Sequence, residues 1–233
     1  MSERPTNYSK RTYKHFFAPE HHPLYSDENA VYVLSNLLLS HGFSVFQLFQ
    51  MGDEREHSEW LLSIIDPEEK ARTVLSLGCG VAGMEAFWHL KRPELKFEFV
   101  NTSKAQLDMI TCPGLKFCAD AETYLSQNGF FDVIVIAYLL GHVEPEATLK
   151  NAMDNLAEHG RLVIYDVFDG TERFDTELFY DSPSLRWLEQ FGVEQKLWFR
   201  AVVEGYIPMG ALARAEVPWV KDEVTPALFI FQK

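Results

Sequence analysis

The chain is short of cysteine, of positive charge and of long apolar runs, and each shortage excludes something. Its three cysteines, Cys79, Cys112 and Cys118, are too few and too scattered for a disulfide framework, and none forms a C-x-x-C pair with metal-type spacing. A reducing, cytoplasmic setting is the simplest expectation. Lys and Arg total 21 against 34 Asp and Glu, a formal net charge of −13. So acidic a chain lacks the basic stripe that phosphates call for, so no nucleic-acid partner is expected, and an anionic membrane surface is disfavoured. No apolar run is long enough to span a bilayer. The polar opening MSERPTNYSKRTYKHFF carries no signal-peptide apolar core. Internal repeats and low-complexity tracts are missing too.

What the chain does have is length and aromatic side chains. Its 233 residues, 47% hydrophobic, suit one α/β domain with a full core and a small appended element. The 18 Phe, 9 Tyr and 5 Trp either fill that core or line an apolar pocket, and both readings stand.

The stretch that organises the rest is residues 73–83, TVLSLGCGVAG. Its first part is apolar apart from Ser76, as in a parallel strand buried on both faces. Gly78, Gly80 and Gly83 then follow with G-x-G-x-x-G spacing, and an apolar, helix-compatible segment comes after them. Glycines so placed allow a tight turn, a close approach of backbone to ligand, and close packing of helix on strand. Cys79, between two of them, has no adjacent base and reads as packing.

Upstream, residues 1–70 read as an N-terminal cap. His21, His22 and Tyr25 fall in an aromatic, histidine-bearing arm that serves either as a lid over the site or as a packing arm. Adjacent side chains in an extended segment point to opposite sides, so His21 and His22 are not expected to share an ion, and no structural metal is predicted. A helix is expected from residue 28 to 41 and a turn at Asp66–Pro67–Glu68.

Downstream, residues 71–233 alternate. Strands are predicted at 95–100, 115–119, 131–137 and 162–165, with helices at 83–92, 103–109, 122–126, 145–157 and 183–191. Val133–Ile134–Val135–Ile136 is β-branched throughout and should be central. Two more strands are expected, one somewhere between 196 and 217 and one at 227–231. The pattern is a doubly wound, mostly parallel seven-stranded sheet with a helical N-terminal cap. In such a sheet, ligands sit at the carboxyl ends of the strands. That places the glycine loop, Asn101, Asp120, Ala137, Tyr138 and Asp166 at the candidate site. Near it, His142 can act as a general base close to working pH, with Glu144 as a second candidate. Tyr138 can orient an acceptor or stabilise a cation through its ring. Tyr165, Asp166, Tyr180 and Trp187, with 169–200 as a contributing segment, are expected to line an acceptor pocket together with His21, His22 and Tyr25.

Five segments in order, VLSLGCGVAG, FVNTSKAQ, FCADAE, FDVIVIAYLLGHV and LAEHGRLVIYD, resemble the motifs of class I S-adenosylmethionine-dependent methyltransferases. The resemblance covers about 100 residues of core. It implies S-adenosyl-L-methionine as cofactor and direct methyl transfer to a small acceptor at carbon or oxygen. It implies that Gly78, Gly80 and Gly83 approach the cofactor's methionine and ribose parts, with Ser76 and Cys79 in the same loop. Thr102 and Gln106 would lie by the ribose. Asp120 would accept from the adenine amino group, Ala121 would present its N–H to the ring, and Ala137 would sit near the transferred methyl. Asn101–Thr102–Ser103 followed by Gln106 looks most like the branch of cyclopropane fatty-acid synthases and of sterol and prenyl-diphosphate C-methyltransferases. Two residues depart from the pattern: Ser76 stands where the first motif normally has an acid, and Asn101 where an acid often grips the ribose hydroxyls. They leave room for a cofactor-binding protein of this fold without methyl transfer. A nicotinamide-dependent oxidoreductase is suggested by the glycines alone and disfavoured by Asn101. A homo-oligomer is compatible with the sequence.

Overall fold

The computed structural model describes residues 54–137, 139–140, 143–169, 184–203 and 224–233. Most of the N-terminal cap, including the predicted helix at 28–41, lies outside them.

Seven strands form one sheet in the order β3-β2-β1-β4-β5-β7-β6. β1 (Thr73–Leu77), β2 (Lys96–Asn101), β3 (Leu115–Cys118), β4 (Phe131–Ala137) and β5 (Leu156–Asp169) run parallel. β7 (Val224–Gln232) is antiparallel to both of its neighbours, β5 and β6 (Trp198–Val203). Among the described strands β6 pairs only with β7.

Both faces of the sheet are covered, and the alternation along each strand divides the core in two. Val74, Phe97, Phe99, Val133 and Val135 face one side, where α1 (Glu54–Ile65) and α2 (Gly83–Lys91) pack. Leu75, Leu77, Ile134, Ile136 and Ile164 face the other, under α4 (Pro145–Asn155) and α5 (Leu185–Glu194). The short α3 (Lys104–Met109) follows β2 and is capped by Ser103, whose Oγ accepts from the Gln106 N–H. The strand side chains are buried on both faces because every crossover returns the chain over the sheet.

α1 is the described part of the cap and is tied to the sheet domain. Trp88 of α2 is fully buried and donates its ring N–H to the Ser58 carbonyl at 2.7 Å, so its apolar body and its polar tip are both satisfied. Phe191, Phe229 and Phe231, near β6 and β7, fill the core, whereas Trp198 is exposed. Phe229 and Phe231 lie 4.7 Å apart, Phe199 stacks on Phe229 at 5.4 Å, and a Cβ on Gly192 would meet the Phe199 and Phe231 rings at 2.8 Å.

At the amino-terminal edge of the sheet a carboxylate and a guanidinium are buried together. Arg92 Nη1 lies 2.5 Å from Asp66 Oδ2, and Arg92 also donates to the Glu69 and Ala71 carbonyls and to Glu94. Asp66 accepts in addition from the N–H groups of Lys70 and Ala71. Burial works to raise the Asp66 carboxyl, but the Arg92 hydrogen bond and the two backbone donors outweigh it, and the group is held below its ordinary value.

Several expected boundaries move. No helix forms at 122–126: residues 121–123 make a turn and the segment beyond is irregular. α4 ends at Asn155, not 157, because the chain passes straight into β5, where Leu156 pairs with Phe131 and the register then shifts. His159 takes φ +66°, a left-handed conformation, within that irregularity. β5 is longer than expected because β7 pairs along it as far as Asp169.

Candidate functional site

Four strand ends and the turns that leave them meet at the carboxyl edge of the sheet, where the strand order reverses between β1 and β4. The glycine loop comes from β1. Gly78 and Gly80 have φ +66° and +55°, a conformation that side-chain-bearing residues rarely adopt. The N–H groups of Gly78 and Cys79 both donate to the Val100 carbonyl, at 2.8 and 3.2 Å, which fixes the turn against β2. A Cβ on Gly78 would stand 2.6 Å from Leu139 Cδ1, so the segment after β4 packs directly on the loop. A Cβ on Gly80 would meet nothing within 4 Å. That open face of backbone is what a ligand lying along the loop needs.

Gly83 opens α2, and the left-handed position before it belongs to Ala82, φ +52°. Ala82, not the third glycine of the spacing, is thus the residue that adopts the glycine-like conformation.

β2 supplies Asn101. Its Oδ1 accepts from the Ser103 N–H at 3.1 Å, and its Nδ2 donates to Gln106 Oε1 at 2.7 Å and to the Gly80 carbonyl at 3.4 Å. Asn101 and Gln106, both expected at a ribose, are brought together and bonded to each other. Thr102 is half-buried beside them, and its carbonyl accepts from the Cys118 thiol.

Beyond β3 the chain turns at Asp120. This carboxylate is exposed, and its Oδ1 accepts from the Glu122 N–H at 2.9 Å, which caps the turn. Ala121 is buried, and its carbonyl accepts from Asn151 of α4 at 2.9 Å. Asn151 and Asn155 both donate to the Tyr124 carbonyl as well. The asparagines of α4 hold this loop from below, a role the helical spacing of the sequence did not reveal.

β4 ends at the half-buried Ala137. Tyr138 and His142 lie outside the described residues, as do His21, His22, Tyr25 and Tyr180. Leu140 is placed by Asp166: the Leu140 N–H donates to Asp166 Oδ2 at 3.0 Å, and Asp166 is 2% exposed. Glu144 caps α4 with its backbone, and its N–H donates to Glu122 Oε1 at 2.9 Å. This links the Asp120 turn to the turn after β4.

Of the residues expected to line an acceptor pocket, Tyr165, Asp166 and Trp187 are described, and they lie in different surroundings. Tyr165 is buried in the core on the α2 side of the sheet. Asp166 holds the post-β4 backbone. Trp187 is half-buried at the start of α5 and stacks on Phe191 at 6.0 Å between centroids.

One buried acid beside the glycine loop was not anticipated in the sequence: Glu85. It lies in the first turn of α2, is 3% exposed, and accepts at 2.6 Å from the hydroxyl of Ser76. Burial pushes its carboxyl above the ordinary 4.5, and the Ser76 hydrogen bond only partly opposes this. Two thiols lie near it. Cys112 donates to the Glu85 carbonyl at 3.6 Å and is pushed up to about 12 by burial and by the neighbouring carboxyl. Cys79 is raised for the same two reasons, so it stays a thiol and is no nucleophile, in keeping with a packing role. The signal was present as the absence of an acid at Ser76. Its complement nine residues on could be recognised only after α2 had been folded back on β1.

Among the described residues no group of three or more His, Cys, Asp or Glu side chains is placed to hold a metal ion, and no helix is long and apolar enough to cross a membrane.

The strand order, with β7 alone reversed and a glycine loop after β1, defines the Rossmann-like methyltransferase fold. No family model and no curated protein sequence matches the chain. Solved structures do. The plantazolicin methyltransferase BpumL, bound to a pentazolic desmethylPZN analog and SAH, superposes with a TM-score of 0.65 at 16% identity, over 98% of this chain and 99% of its own. A geranyl diphosphate methyltransferase with GPP and sinefungin gives 0.63 at 16%, over 77% of each chain. The Haemonchus contortus phosphoethanolamine N-methyltransferase 2, with phosphomonomethylethanolamine and S-adenosylhomocysteine, gives 0.67 at 11%, over 88% of this chain and 57% of its own.

Proposed function

We propose that this chain is an S-adenosylmethionine-dependent methyltransferase for a small acceptor bound in an apolar, aromatic-rich pocket, methylated at carbon or oxygen. The observation that carries the reading is the glycine loop. Its Gly80 face is open, it is fixed to β2 and overlaid by Leu139, and it lies at the switch point of a fold whose neighbours hold SAH or sinefungin. When bound, the cofactor supplies an activated sulfonium methyl.

The residues of the chain then have mainly to bind and orient. The backbone of residues 78–80 accommodates the methionine and ribose parts. Gln106 and Asn101 turn from one another to the ribose hydroxyls. Asp120 accepts from the adenine amino group, and Ala121 presents its N–H. Ala137 and Tyr138 flank the reacting methyl, and His142, or Glu144, takes a proton from the acceptor where the chemistry releases one. Residues 1–70 act as the cap and, with 169–200, close the acceptor pocket and exclude water. The two neighbours with acceptor-type ligands, a desmethylPZN analog and GPP, set the first acceptor classes to screen.

A second reading, cofactor binding without methyl transfer, draws support from the mutual hydrogen bond of Asn101 and Gln106, which occupies groups the cofactor would need. Calorimetric titration with S-adenosylmethionine, S-adenosylhomocysteine and NAD tests the cofactor. The expected result is micromolar binding of the first two, none of NAD, and loss of binding in Gly80→Val and Asp120→Ala. Methyl transfer from labelled cofactor across prenyl diphosphates and azole peptides separates the two readings, since binding without turnover over that panel favours the second. Absence of cofactor binding with and without acceptor overturns both.

A further inference from the structure

The pair Ser76–Glu85 brackets the glycine loop. Ser76 is the last but one residue of β1, and Glu85 is in the first turn of the helix that follows the loop, so their 2.6 Å bond closes the strand–loop–helix turn from beneath. Both side chains are buried, at 2% and 3% exposure. A carboxyl so enclosed needs either a cation or its proton. Among the described residues no cation pairs with Glu85. The titratable groups around it are Cys79 of the loop, Cys112 before β3, and His89 one turn along α2; the Lys116 ammonium is engaged by the Ile110 carbonyl at 2.8 Å. The two thiols are neutral, so neither supplies a positive charge to Glu85.

The cofactor of the reading above, on which this inference rests, carries a positive sulfonium, and its demethylated product does not. We propose that Glu85 is a charge-compensating residue that distinguishes the cationic cofactor from its neutral product, releasing its proton to solvent when the cation settles on the glycine loop and taking one back when the product replaces it. The proton balance is closed. One proton leaves Glu85 on binding, and one returns from solvent after the methyl, and the charge with it, has passed to the acceptor. Glu85 acts from the first turn of the helix that leaves the loop, in a buried setting where one charge is felt strongly by another. The consequence is a site that holds the substrate form of the cofactor more tightly than the spent form, which favours exchange after each turnover. Glu85 is therefore a positioning residue for charge, not a group that touches the acceptor.

The test counts protons. Binding of S-adenosylmethionine and of S-adenosylhomocysteine is measured by calorimetry at pH 7 in buffers of different ionisation enthalpy, for the wild type and for Glu85→Gln, which keeps the size of the side chain and its capacity to accept from Ser76. The wild type should release about one more proton with S-adenosylmethionine than with S-adenosylhomocysteine, the ammonium common to both ligands cancelling in the difference. Glu85→Gln should abolish the difference and weaken S-adenosylmethionine about tenfold while leaving S-adenosylhomocysteine within about twofold. Equal proton release with both ligands in the wild type overturns the inference, as does an equal loss of both affinities in the variant. If Glu85→Gln does not fold, the wild-type difference decides alone. If the wild type binds neither ligand, it is the proposed function that fails, and the two failures are thus distinct.

Discussion

Two buried carboxyls, one at each end of the sheet, solve the same problem in opposite ways. Asp66 at the amino-terminal edge keeps its charge and surrounds it with a guanidinium and two backbone donors. Glu85 at the carboxyl edge has a hydroxyl for a partner, and burial raises its carboxyl above the ordinary value. The first arrangement is saturated and leaves nothing for a ligand, so it serves the fold. The second is unsaturated in charge and stands under the open loop, so it can respond to what binds there. The contrast teaches that burial alone does not mark a functional acid; the kind of partner does.

The sharpest way to break the contrast is to remove the saturating partner. Asp66→Ala leaves the buried Arg92 guanidinium with only the exposed Glu94 carboxylate as counter-charge and should cost about 3 kcal/mol in chemical denaturation. The folded fraction should still bind cofactor with its original affinity; a parallel loss of affinity would mean that the two ends are coupled. Gly80→Val acts at the other end. A β-branched residue at φ +55° strains the loop, a cost of about 1–3 kcal/mol, and its side chain fills the open face, so S-adenosylmethionine binding should disappear while the fold survives. Wild-type affinity in this variant would remove the loop from the site.

Smaller effects follow from pH. The Asp66 carboxyl is lowered from 3.8, so its contribution to stability is present above that value and is lost as the pH falls below it. The Glu85 carboxyl is raised from 4.5, so its contribution is present below that value and is lost as the pH rises above it, because the unfolded chain ionises first. Denaturation curves of wild type and Glu85→Gln should therefore separate as the pH climbs from 4.5 toward neutrality, the variant losing less stability. Parallel curves would show that Glu85 is ionised in the native state. The smallest effect is expected for Lys150→Ala, which removes an exposed i,i+4 pair with Glu146 and should change stability by about 0.5 kcal/mol or less.

Much of the fold was legible because the strands of a covered parallel sheet read as apolar runs and the helices between them as periodic ones. Val133–Ile134–Val135–Ile136 is central, as its β-branched run required, and Val74, Leu75 and Leu77 are buried on the two faces. The misjudged segment at 122–126 has helical residues but is held as a turn by Asn151 and Asn155, partners some thirty positions away. β6 was not located within 196–217 because its sequence, WFRAVV, is broken by Arg200 and lies at a sheet edge, where Trp198, Arg200 and Ala201 are exposed and give no inward–outward alternation. Glycine spacing pointed to the loop, and Asn101, at the end of β2, bonds to it through the Gly80 carbonyl. Glu85 was hidden because its bond to Ser76 is made only when α2 folds back on β1, and the bond of Asp166 to the Leu140 N–H joins segments 26 positions apart.

The placement of β7 between β5 and β6 has a consequence for the timing of synthesis. β6 leaves the ribosome before β7, and it has no other described strand to join. Residues 204–223 must be made before Val224 appears, an interval on the order of seconds at ordinary translation rates. Throughout it, the β5 edge and the apolar residues of β6 stay unpaired. The nascent chain is then most exposed to wrong edge-to-edge association, and a chaperone that shields one strand edge until the next emerges would act on this protein at that moment.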